Sequence, residues 1–391
     1  MSKKRIMIVI NSFAQGGAER VASVLMEYYH DSQDFDIELV LLEDDIAYTL
    51  PKDAKVSLIS GLSKADSSMK KTLHIPFLAY KLHKIISKHQ PDLVVSFLYR
   101  ADFVNILASY GHKVPVIVSE RVNASSTYNN ASLNAKINKF LIKTLYPKAS
   151  YVINVSEGTK TDLVENFAIS AQKQTVIYNP YDIEKIEKLA SEDLDITQAR
   201  EKTLIAVSRF RPIKNIGMIL EAVAALPKDI QLVLVGDGSE EDTLKAQAKI
   251  LGIEERVLFV GAQNNPYKYM SKASVYISSS RSEGFPNALV EAMICGCSVI
   301  STDCPSGPRE ILAPKSAKSI QSGVEYGEFG LLVAVDDTKA LTEGLAKLLS
   351  DEALVSTYAQ KAKERAFDFH VSTILKQYSE TFSHIIHKGR V

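Results

Sequence analysis

The sequence alternates short apolar runs with longer segments whose apolar residues recur every three to four positions, and it does so in two successive series. Alternation of this kind is typical of β-α-β units, in which helices connect the strands of a parallel sheet. The pattern therefore predicts an α/β protein with two parallel sheets. The predicted strands are 6–10, 37–42, 55–59, 93–97, 114–119, 151–155 and 174–178 in the first series, and segments 203–210, 231–238, 256–262, 274–280 and 297–303 contain those of the second.

The chain has 391 residues, which is more than one hydrophobic core usually organises. We predict one domain over residues 1–185, a second over 186–365, and a C-terminal helix over 366–391 that crosses back to the first domain. The polar stretch 182–200 is the expected linker, and 338–387 is expected to form two helices. Two open parallel sheets that face each other generate one interdomain cleft, so we expect chemistry in the loops that follow strands.

The charge is balanced overall but not locally. The 46 basic residues equal the 46 acidic ones, so no global bias favours nucleic acid as a partner. Residues 64–148 hold 13 Lys and Arg against 4 Asp and Glu, which predicts contact with phosphate or anionic lipid unless the block is only a solvated surface. No segment approaches the roughly 20 apolar residues of a spanning helix, so the predicted membrane contact is peripheral.

Neither the cysteines nor the acidic residues suggest a metal site. Cys295, Cys297 and Cys304 fit no metal or disulfide spacing and are predicted to be reduced core thiols. The acidic run 43–45 is interpreted as a solvated turn, because one short run supplies too few spaced ligands. We expect no metal and no cofactor.

Two glutamates follow the strand segment 274–280, with seven residues between them. Glu283 lies in a turn-forming loop, and Glu291 lies in a helix-like run that begins near Pro286 or Asn287. A helix N-terminus binds phosphate-bearing ligands through its free N–H groups and positive dipole end. Ionised carboxylates accept hydrogen bonds strongly from hydroxyl-rich ligands. Taken alone, the pair also fits solvated charges on a helix.

The loop after the first strand of the second series carries Arg209, Arg211 and Lys214. Fixed positive charge at a strand end can neutralise a diphosphate leaving group in place of a divalent metal. Ordinary surface loop charges are the alternative. Near the N-terminus, Gly16 and Gly17 would let a loop approach a ligand closely, because glycine has no Cβ, and they also fit a tight strand-to-helix turn.

The order of these motifs resembles the family 4 glycosyltransferases of the GT-B fold, which have two facing Rossmann-like domains. The matching segments are 11–20 (NSFAQGGAER), the Arg209/Lys214 pair, 236–253, 283–293 (EGFPNALVEAM) and 329–333 (FGLLV). The resemblance implies that Arg209 and Lys214 contact the donor diphosphate. It implies that Glu283 binds the hydroxyls of the donor sugar and Glu291 those of the ribose. It assigns sugar and phosphate oxygens to the backbone of Gly284, Phe285, Pro286 and Asn287, and a close approach to the reacting sugar to Gly16 and Gly17.

Three further segments, 139–149, 264–273 and 306–310, resemble bacterial N-acetylgalactosaminyltransferases that extend glycans linked to undecaprenyl diphosphate. This resemblance implies retaining, metal-independent transfer of N-acetylgalactosamine from a UDP-sugar, in α linkage, to a polyprenyl-diphosphate-linked glycan. It implies peripheral binding to an anionic membrane surface at the cytoplasmic face of the bacterial inner membrane. A nucleotide-sugar 2-epimerase of the same fold and a non-catalytic nucleotide-sugar-binding protein remain as alternatives.

One position departs from the family pattern. Many members carry a histidine after the glutamate of the loop that ends the strand near Val118, whereas this chain reads Ser119-Glu120-Arg121. Glu120 and Arg121 are candidates to replace that histidine beside the donor sugar, or they form a structural ion pair.

The acceptor side is expected in the N-terminal domain. Arg100, Lys136, Lys139 and Lys143 are predicted to contact the acceptor diphosphate or lipid headgroups. Segments 77–88 and 138–148 mix aliphatic, aromatic and lysine residues as interfacial helices do. Core-packing helices with lysines on their outer faces give the same pattern.

Overall fold

The computed structural model describes residues 3–14, 16–63, 65–194, 200–316 and 318–389, without the side chain of Glu201. The chain divides into two compact units: unit 1 contains Met1–Pro180 with Ser372–Val391, and unit 2 contains Tyr181–Val371. The chain therefore leaves unit 1 after Pro180 and re-enters it at Ser372. The boundaries expected from sequence, after residues 185 and 365, both lie within unit 2.

Over its described residues, unit 1 contains a parallel sheet of seven strands in the order β3-β2-β1-β4-β5-β6-β7. Every strand predicted in the first series is present. The apolar runs 6–10 and 93–97 in the middle of the sheet are buried on both faces, as in parallel sheets covered by helices, whereas Val56 and Leu58 at the edge of the sheet are exposed. The strands are β1 (Lys4–Ile10), β2 (Phe35–Glu43), β3 (Lys55–Leu62), β4 (Leu93–Phe97), β5 (Val116–Glu120), β6 (Tyr151–Asn154) and β7 (Gln174–Val176). The helices are α1 (Gly17–His30), α2 (Ser68–Leu73), α3 (Ile75–His89), α4 (Tyr99–Ala108), α5 (Ala124–Thr127), α6 (Leu133–Leu145) and α7 (Glu157–Phe167).

Unit 2 contains a second seven-stranded sheet in its described part, in the order β10-β9-β8-β11-β12-β14-β13. Five strands were predicted. The other two, β13 and β14, pair antiparallel and have three residues each, too few to show a period in the sequence. The strands are β8 (Thr203–Val207), β9 (Gln231–Val235), β10 (Val257–Gly261), β11 (Val275–Ser278), β12 (Ser298–Thr302), β13 (Val324–Tyr326) and β14 (Leu331–Val333).

The first helix of unit 2 corrects the prediction of a linker. The stretch 182–200, expected as a linker, forms helix α8 over Ile183–Ala190, where the Asp182 side chain accepts a hydrogen bond from the Lys185 N–H and Ile183 and Ile186 are buried; residues 195–199 lie outside the described part. The other helices before the C-terminal region are α9 (Ile216–Ala224), α10 (Glu241–Ile250), α11 (Tyr267–Met270), α12 (Asn287–Ile294) and α13 (Pro308–Leu312).

The C-terminal region forms three helices where two were predicted: α14 (Thr338–Leu349), α15 (Glu352–Ala366) and α16 (Val371–Lys388). Apolar residues keep a helical spacing across the break between α14 and α15, so periodicity alone does not reveal it. Asp351 marks the break, because its side chain accepts a hydrogen bond from the Leu354 N–H and so caps α15.

Each sheet has one point from which the strand order runs in opposite directions. It lies between β1 and β4 in unit 1, and between β8 and β11 in unit 2. In open α/β sheets, ligands bind outside the carboxyl ends of the strands at such a point. The loops that follow these four strands are therefore where a site is expected. The three cysteines are free thiols, as predicted.

Candidate functional site

The loops that follow β8 and β11 meet through an ion pair. Lys214 Nζ lies 2.6 Å from Glu283 Oε1, and the Ser280 hydroxyl donates to the same oxygen at 2.6 Å. Lys214 ends a single 3-10 turn, and Asn215 follows it at a φ of 50°, which redirects the chain into α9. Both partners of the pair are partly buried, with exposed side-chain fractions of 25% and 13%. The structure thus brings together two predicted site residues from distant parts of the sequence.

The end of β11 holds the Lys214 loop in place. The Ser279 hydroxyl lies 2.8 Å from the Lys214 carbonyl oxygen and 2.9 Å from that of Asn215. The Arg281 N–H donates to the Ile213 carbonyl at 2.8 Å. Ser279 was not predicted as a site residue, because a serine at the end of a strand carries no sign of a partner 65 residues away.

Arg209 is exposed in the loop after β8, and this loop packs against the loop after β9. The Phe210 N–H donates to the Asp237 carbonyl at 2.6 Å, and a Cβ at Gly236 would lie 1.8 Å from the Ser208 carbonyl oxygen. Gly238, at a φ of 156°, would place a Cβ 2.3 Å from the Phe210 carbonyl oxygen. Glycine is therefore required at both positions to hold the Arg209 loop.

The segment from Phe285 to Asn287 is contacted by three other parts of unit 2. The Phe285 ring lies edge-on to Phe369 with centroids 5.3 Å apart. A Cβ at Gly307, which has a φ of 93°, would lie 2.5 Å from Pro286 Cδ. The Tyr181 hydroxyl donates to Asn287 Oδ1 at 2.6 Å. Helix α12 begins at Asn287, one of the two starts that the sequence allows, so its free N–H groups lie at the end of this braced segment with Gly284 directly before it.

Glu291 lies in the second turn of α12 and is 7% exposed. The Tyr267 hydroxyl donates to its Oε1 at 3.4 Å. Because Glu291 is buried and Glu283 is held in an ion pair, the interpretation of the two glutamates as solvated helix charges is wrong. Tyr267 is a further polar neighbour that no sequence motif marks.

In unit 1, Gly16 precedes α1 with an extended backbone at a φ of −171°, and its carbonyl accepts a hydrogen bond from the Tyr48 hydroxyl at 3.3 Å. A Cβ at Gly16 would meet the Glu19 carboxylate, which is the end of a flexible side chain. Backbone strain therefore does not require glycine here. Gly17 is the first residue of α1 and is exposed.

Arg100 lies at the point between β1 and β4 where ligands of such sheets bind. Its guanidinium pairs with Glu43 Oε1, and its Nε–H donates to Asn11 Oδ1 at 3.4 Å. Lys71 Nζ lies 2.9 Å from the same Glu43 oxygen. Glu43 is 5% exposed, so the interpretation of the acidic run 43–45 as a solvated turn is wrong at this residue. Strand β2 extends to Glu43, and two cations neutralise it.

Glu120 ends β5 in a buried carboxyl cluster. Its Oε1 accepts the Arg121 N–H at 3.0 Å, and the Tyr146 hydroxyl lies 3.4 Å from its Oε2 and 2.9 Å from Asp102 Oδ2. Burial raises the pKa of Glu120 from 4.5 to about 7, and it also raises the pKa of Asp102 well above its usual range.

The Arg121 side chain turns away from this cluster. Its guanidinium donates to Asn179 Oδ1 and lies 6.0 Å from the centroid of the Phe97 ring, and the residue is 8% exposed. Glu120 and Arg121 thus take different side-chain partners, so the predicted alternative of an ion pair between them is wrong.

Helices α3 and α6, which both contact α4, carry exposed aromatic residues beside lysines. On α3, Phe77 is 51% and Tyr80 57% exposed, with Lys81 Nζ 4.7 Å and Lys84 Nζ 4.5 Å from their respective ring centroids. On α6, Phe140 is 65% exposed. Lys136 and Lys143 are exposed on α6, and Lys139 is partly so. None of the helices described is both long and apolar enough to cross a membrane.

Family models match most of the chain. The model described as Glycosyltransferase Family 4 matches residues 15–185, and that described as Glycosyl transferases group 1 matches residues 193–365.

Two relatives from Campylobacter jejuni match nearly the whole chain. One is N-acetylgalactosamine-N,N'-diacetylbacillosaminyl-diphospho-undecaprenol 4-alpha-N-acetylgalactosaminyltransferase, which is 36% identical over 94% of this chain and 96% of its own length. The other is GalNAc-alpha-(1->4)-GalNAc-alpha-(1->3)-diNAcBac-PP-undecaprenol alpha-1,4-N-acetyl-D-galactosaminyltransferase, which is 26% identical over 97% of this chain and 99% of its own length.

Solved structures share the fold at lower identity. Alr3699/HepE of Anabaena in complex with UDP and glucose superposes with a TM-score of 0.75 at 24% identity, covering 97% of this chain and 100% of that chain. Sucrose-phosphate synthase of Thermosynechococcus elongatus superposes with a TM-score of 0.81 at 18% identity, covering 99% of this chain and 100% of that one.

Proposed function

This chain belongs to glycosyltransferase family 4 and has the GT-B fold, and we propose that it transfers N-acetylgalactosamine from UDP-GalNAc to a saccharide carried on undecaprenyl diphosphate, with retention and in α linkage. The observation that carries the proposal is the Lys214–Glu283 pair beside the start of α12, at the point of the sheet where ligands bind. The names of the two Campylobacter relatives, both N-acetylgalactosaminyltransferases acting on undecaprenol-linked saccharides, support the choice of sugar and acceptor.

In this proposal, fixed positive charge replaces a metal ion at the donor diphosphate. Arg209 and Lys214 lie on the loop after β8, and the free N–H groups of α12 add the positive end of a helix dipole. A lysine ammonium has three N–H donors, so Lys214 can hold Glu283 and phosphate oxygens together. Glu283 accepts hydroxyl groups of the sugar, and Glu291 accepts those of the ribose.

The proposed reaction needs no nucleophile from the protein. The acceptor hydroxyl oxygen attacks C1 of the sugar on the face from which the diphosphate leaves, the bond from C1 to the phosphate oxygen breaks, and the acceptor proton passes to that oxygen. The protein contributes electrostatic stabilisation of the departing diphosphate and the relative orientation of the two substrates.

A lipid-linked acceptor requires the enzyme to work at a membrane surface. We infer a peripheral position at the cytoplasmic face of the inner membrane, in the assembly of N-glycans, O-antigens or similar glycans. The exposed aromatic residues and lysines of α3 and α6 support this position, because amphipathic side chains of this kind are favoured at interfaces.

The proposal is tested by measuring UDP release from UDP-GalNAc, UDP-GlcNAc, UDP-Gal and UDP-Glc, with and without an undecaprenyl-diphosphate-linked disaccharide. We expect release that depends on the acceptor and is fastest with UDP-GalNAc. Conversion of a UDP-N-acetylhexosamine to its 2-epimer without acceptor would instead identify an epimerase. UDP binding without turnover of any pair would contradict a transferase that uses these donors.

A further inference from the structure

We propose that Tyr181 is a positioning residue for donor binding, acting through Asn287 at the start of α12. The inference rests on the proposed function in that it takes the Phe285–Asn287 segment as the site of the donor sugar and phosphate. Tyr181 belongs to none of the motifs that suggest this function, and its role follows from its contacts.

The backbone of Tyr181 is fixed by two hydrogen bonds to the last residues of unit 2. Its N–H donates to the Phe369 carbonyl at 3.0 Å, and the Val371 N–H donates to the Tyr181 carbonyl at 2.8 Å. Tyr181 and Phe369 are both fully buried. Tyr181, the first residue of unit 2, is thereby bonded to the last residues of the same unit, which fixes the backbone from which its ring extends.

Both sides of this backbone pairing contact the proposed donor segment. The Tyr181 hydroxyl donates to Asn287 Oδ1 at 2.6 Å, and the Phe369 ring lies 5.3 Å from that of Phe285. Asn287 is the first residue of α12, so its side chain lies at the start of the helix. The hydrogen bond from Tyr181 fixes the orientation of the Asn287 side-chain amide and restrains the first turn of α12. In the proposed function, backbone N–H groups of this turn bind the donor phosphate.

A second tyrosine of unit 2 shows what a purely structural hydroxyl does. Tyr358, 7% exposed, donates to the Gly327 carbonyl at 3.1 Å, so its hydroxyl only satisfies a backbone acceptor. Tyr181 instead donates to a side chain of the proposed donor segment. Tyr358→Phe is therefore a matched control, because each substitution removes one hydrogen-bonded hydroxyl from the same unit.

The first test compares Tyr181→Phe with Tyr358→Phe in the full chain, using UDP and UDP-GalNAc as probes in calorimetry and steady-state kinetics. Loss of one hydrogen bond predicts that Tyr181→Phe raises the Kd for UDP and the KM for the donor about five- to tenfold, while the KM for the acceptor stays the same. Tyr358→Phe should leave all three constants unchanged. Unchanged donor constants in Tyr181→Phe, or equal changes in both variants, would overturn the inference.

A double-mutant cycle tests whether Tyr181 acts through Asn287. Asn287→Ala should weaken UDP binding, and adding Tyr181→Phe to it should have no further effect, because the shared contact is already lost. Effects that multiply would show that Tyr181 acts by another route and would overturn the inference.

Different results would contradict the role of Tyr181 and the proposed function. Transfer by the unchanged protein together with normal donor binding by Tyr181→Phe would contradict this inference alone. UDP binding that depends on Tyr181 and Asn287, without sugar transfer, would support the inference and contradict the proposed function.

Discussion

Lys214 and Glu283 are separated by 69 residues in the chain and form one ion pair in the fold, so a change at either residue affects both. We predict that Lys214→Ala lowers kcat about 100-fold, because a fixed donor to the developing diphosphate charge is lost. Lys202→Ala is the control, since Lys202 also pairs with a carboxylate, that of Asp229 at 2.7 Å. Lys202 directly precedes β8 and so lies at the amino end of the strand, whereas Lys214 follows its carboxyl end. Activities measured under matched conditions should separate the two variants, and equal loss in both would contradict the role given to Lys214.

Glu120 gives a prediction for pH. Its pKa is about 7 when folded and 4.5 otherwise, so the folded chain binds this proton more tightly, and the stability from this group falls as pH rises from about 4.5 to 7. Glu120→Gln cannot ionise but keeps an oxygen to accept the Arg121 N–H. As the pH rises from 5 to 8, the free energy of unfolding of the variant should therefore increase by up to about 3 kcal/mol relative to that of the unchanged protein. Unfolding midpoints at both pH values measure this; a difference that does not vary with pH would contradict it.

Sequence reasoning found the residues whose identity marks a motif and missed those that act through distant partners. Lys214, Glu283 and Glu291 stand in recognisable patterns, and their burial and contacts agree with a site at the end of the sheet. Ser279 and Tyr181 have ordinary neighbours in the sequence, and only folding brings their hydroxyl groups to Lys214 and Asn287.

Among the helices and strands, the strands were predictable because they carry short apolar runs bounded by loops, and in the central strands β1, β4 and β5 these runs are buried on both faces. The prediction failed at β13 because three residues are too few to show an alternation of apolar and polar residues. It also failed between α14 and α15, because the helical spacing of apolar residues continues across the break between the two helices. The polar stretch that became α8 failed for another reason. Its buried residues, Ile183, Ile186 and Ala190, stand among charged residues over only two turns, which is too short a run to establish a helical period.

Helices α3 and α6 carry exposed aromatic residues that are expected to contact a membrane surface. Replacing Phe77, Tyr80 and Phe140 by serine should reduce binding to vesicles that contain anionic lipid, because these exposed aromatic residues supply the apolar contact beside the lysines. Ile250→Ser is the control, since Ile250 is 85% exposed but belongs to unit 2. Co-sedimentation with such vesicles should fall in the triple variant and not in the control. Unchanged binding of the triple variant would contradict a membrane role for these helices.

In the whole molecule, each unit repeats one plan: a mainly parallel sheet with a reversal of strand order, and charged side chains near the carboxyl ends of its strands. In unit 1 these are Arg100 and Glu43, and in unit 2 they are Lys214 and Glu283. The sequence predicts this plan because the alternation of strands and helices occurs twice. It does not determine the donor sugar, because the orientation of one hydroxyl group is recognised by loop geometry that no local pattern encodes.

We propose that fixed protein charges, without a metal, support transfer of N-acetylgalactosamine with retention. The most direct measurement is NMR of the product formed from UDP-GalNAc and an undecaprenyl-diphosphate-linked glycan in the presence of EDTA. We expect a product extended by N-acetylgalactosamine in α linkage, formed at the same rate with and without the chelator. A β-linked product, or transfer that stops with EDTA and returns with a divalent ion, would contradict it.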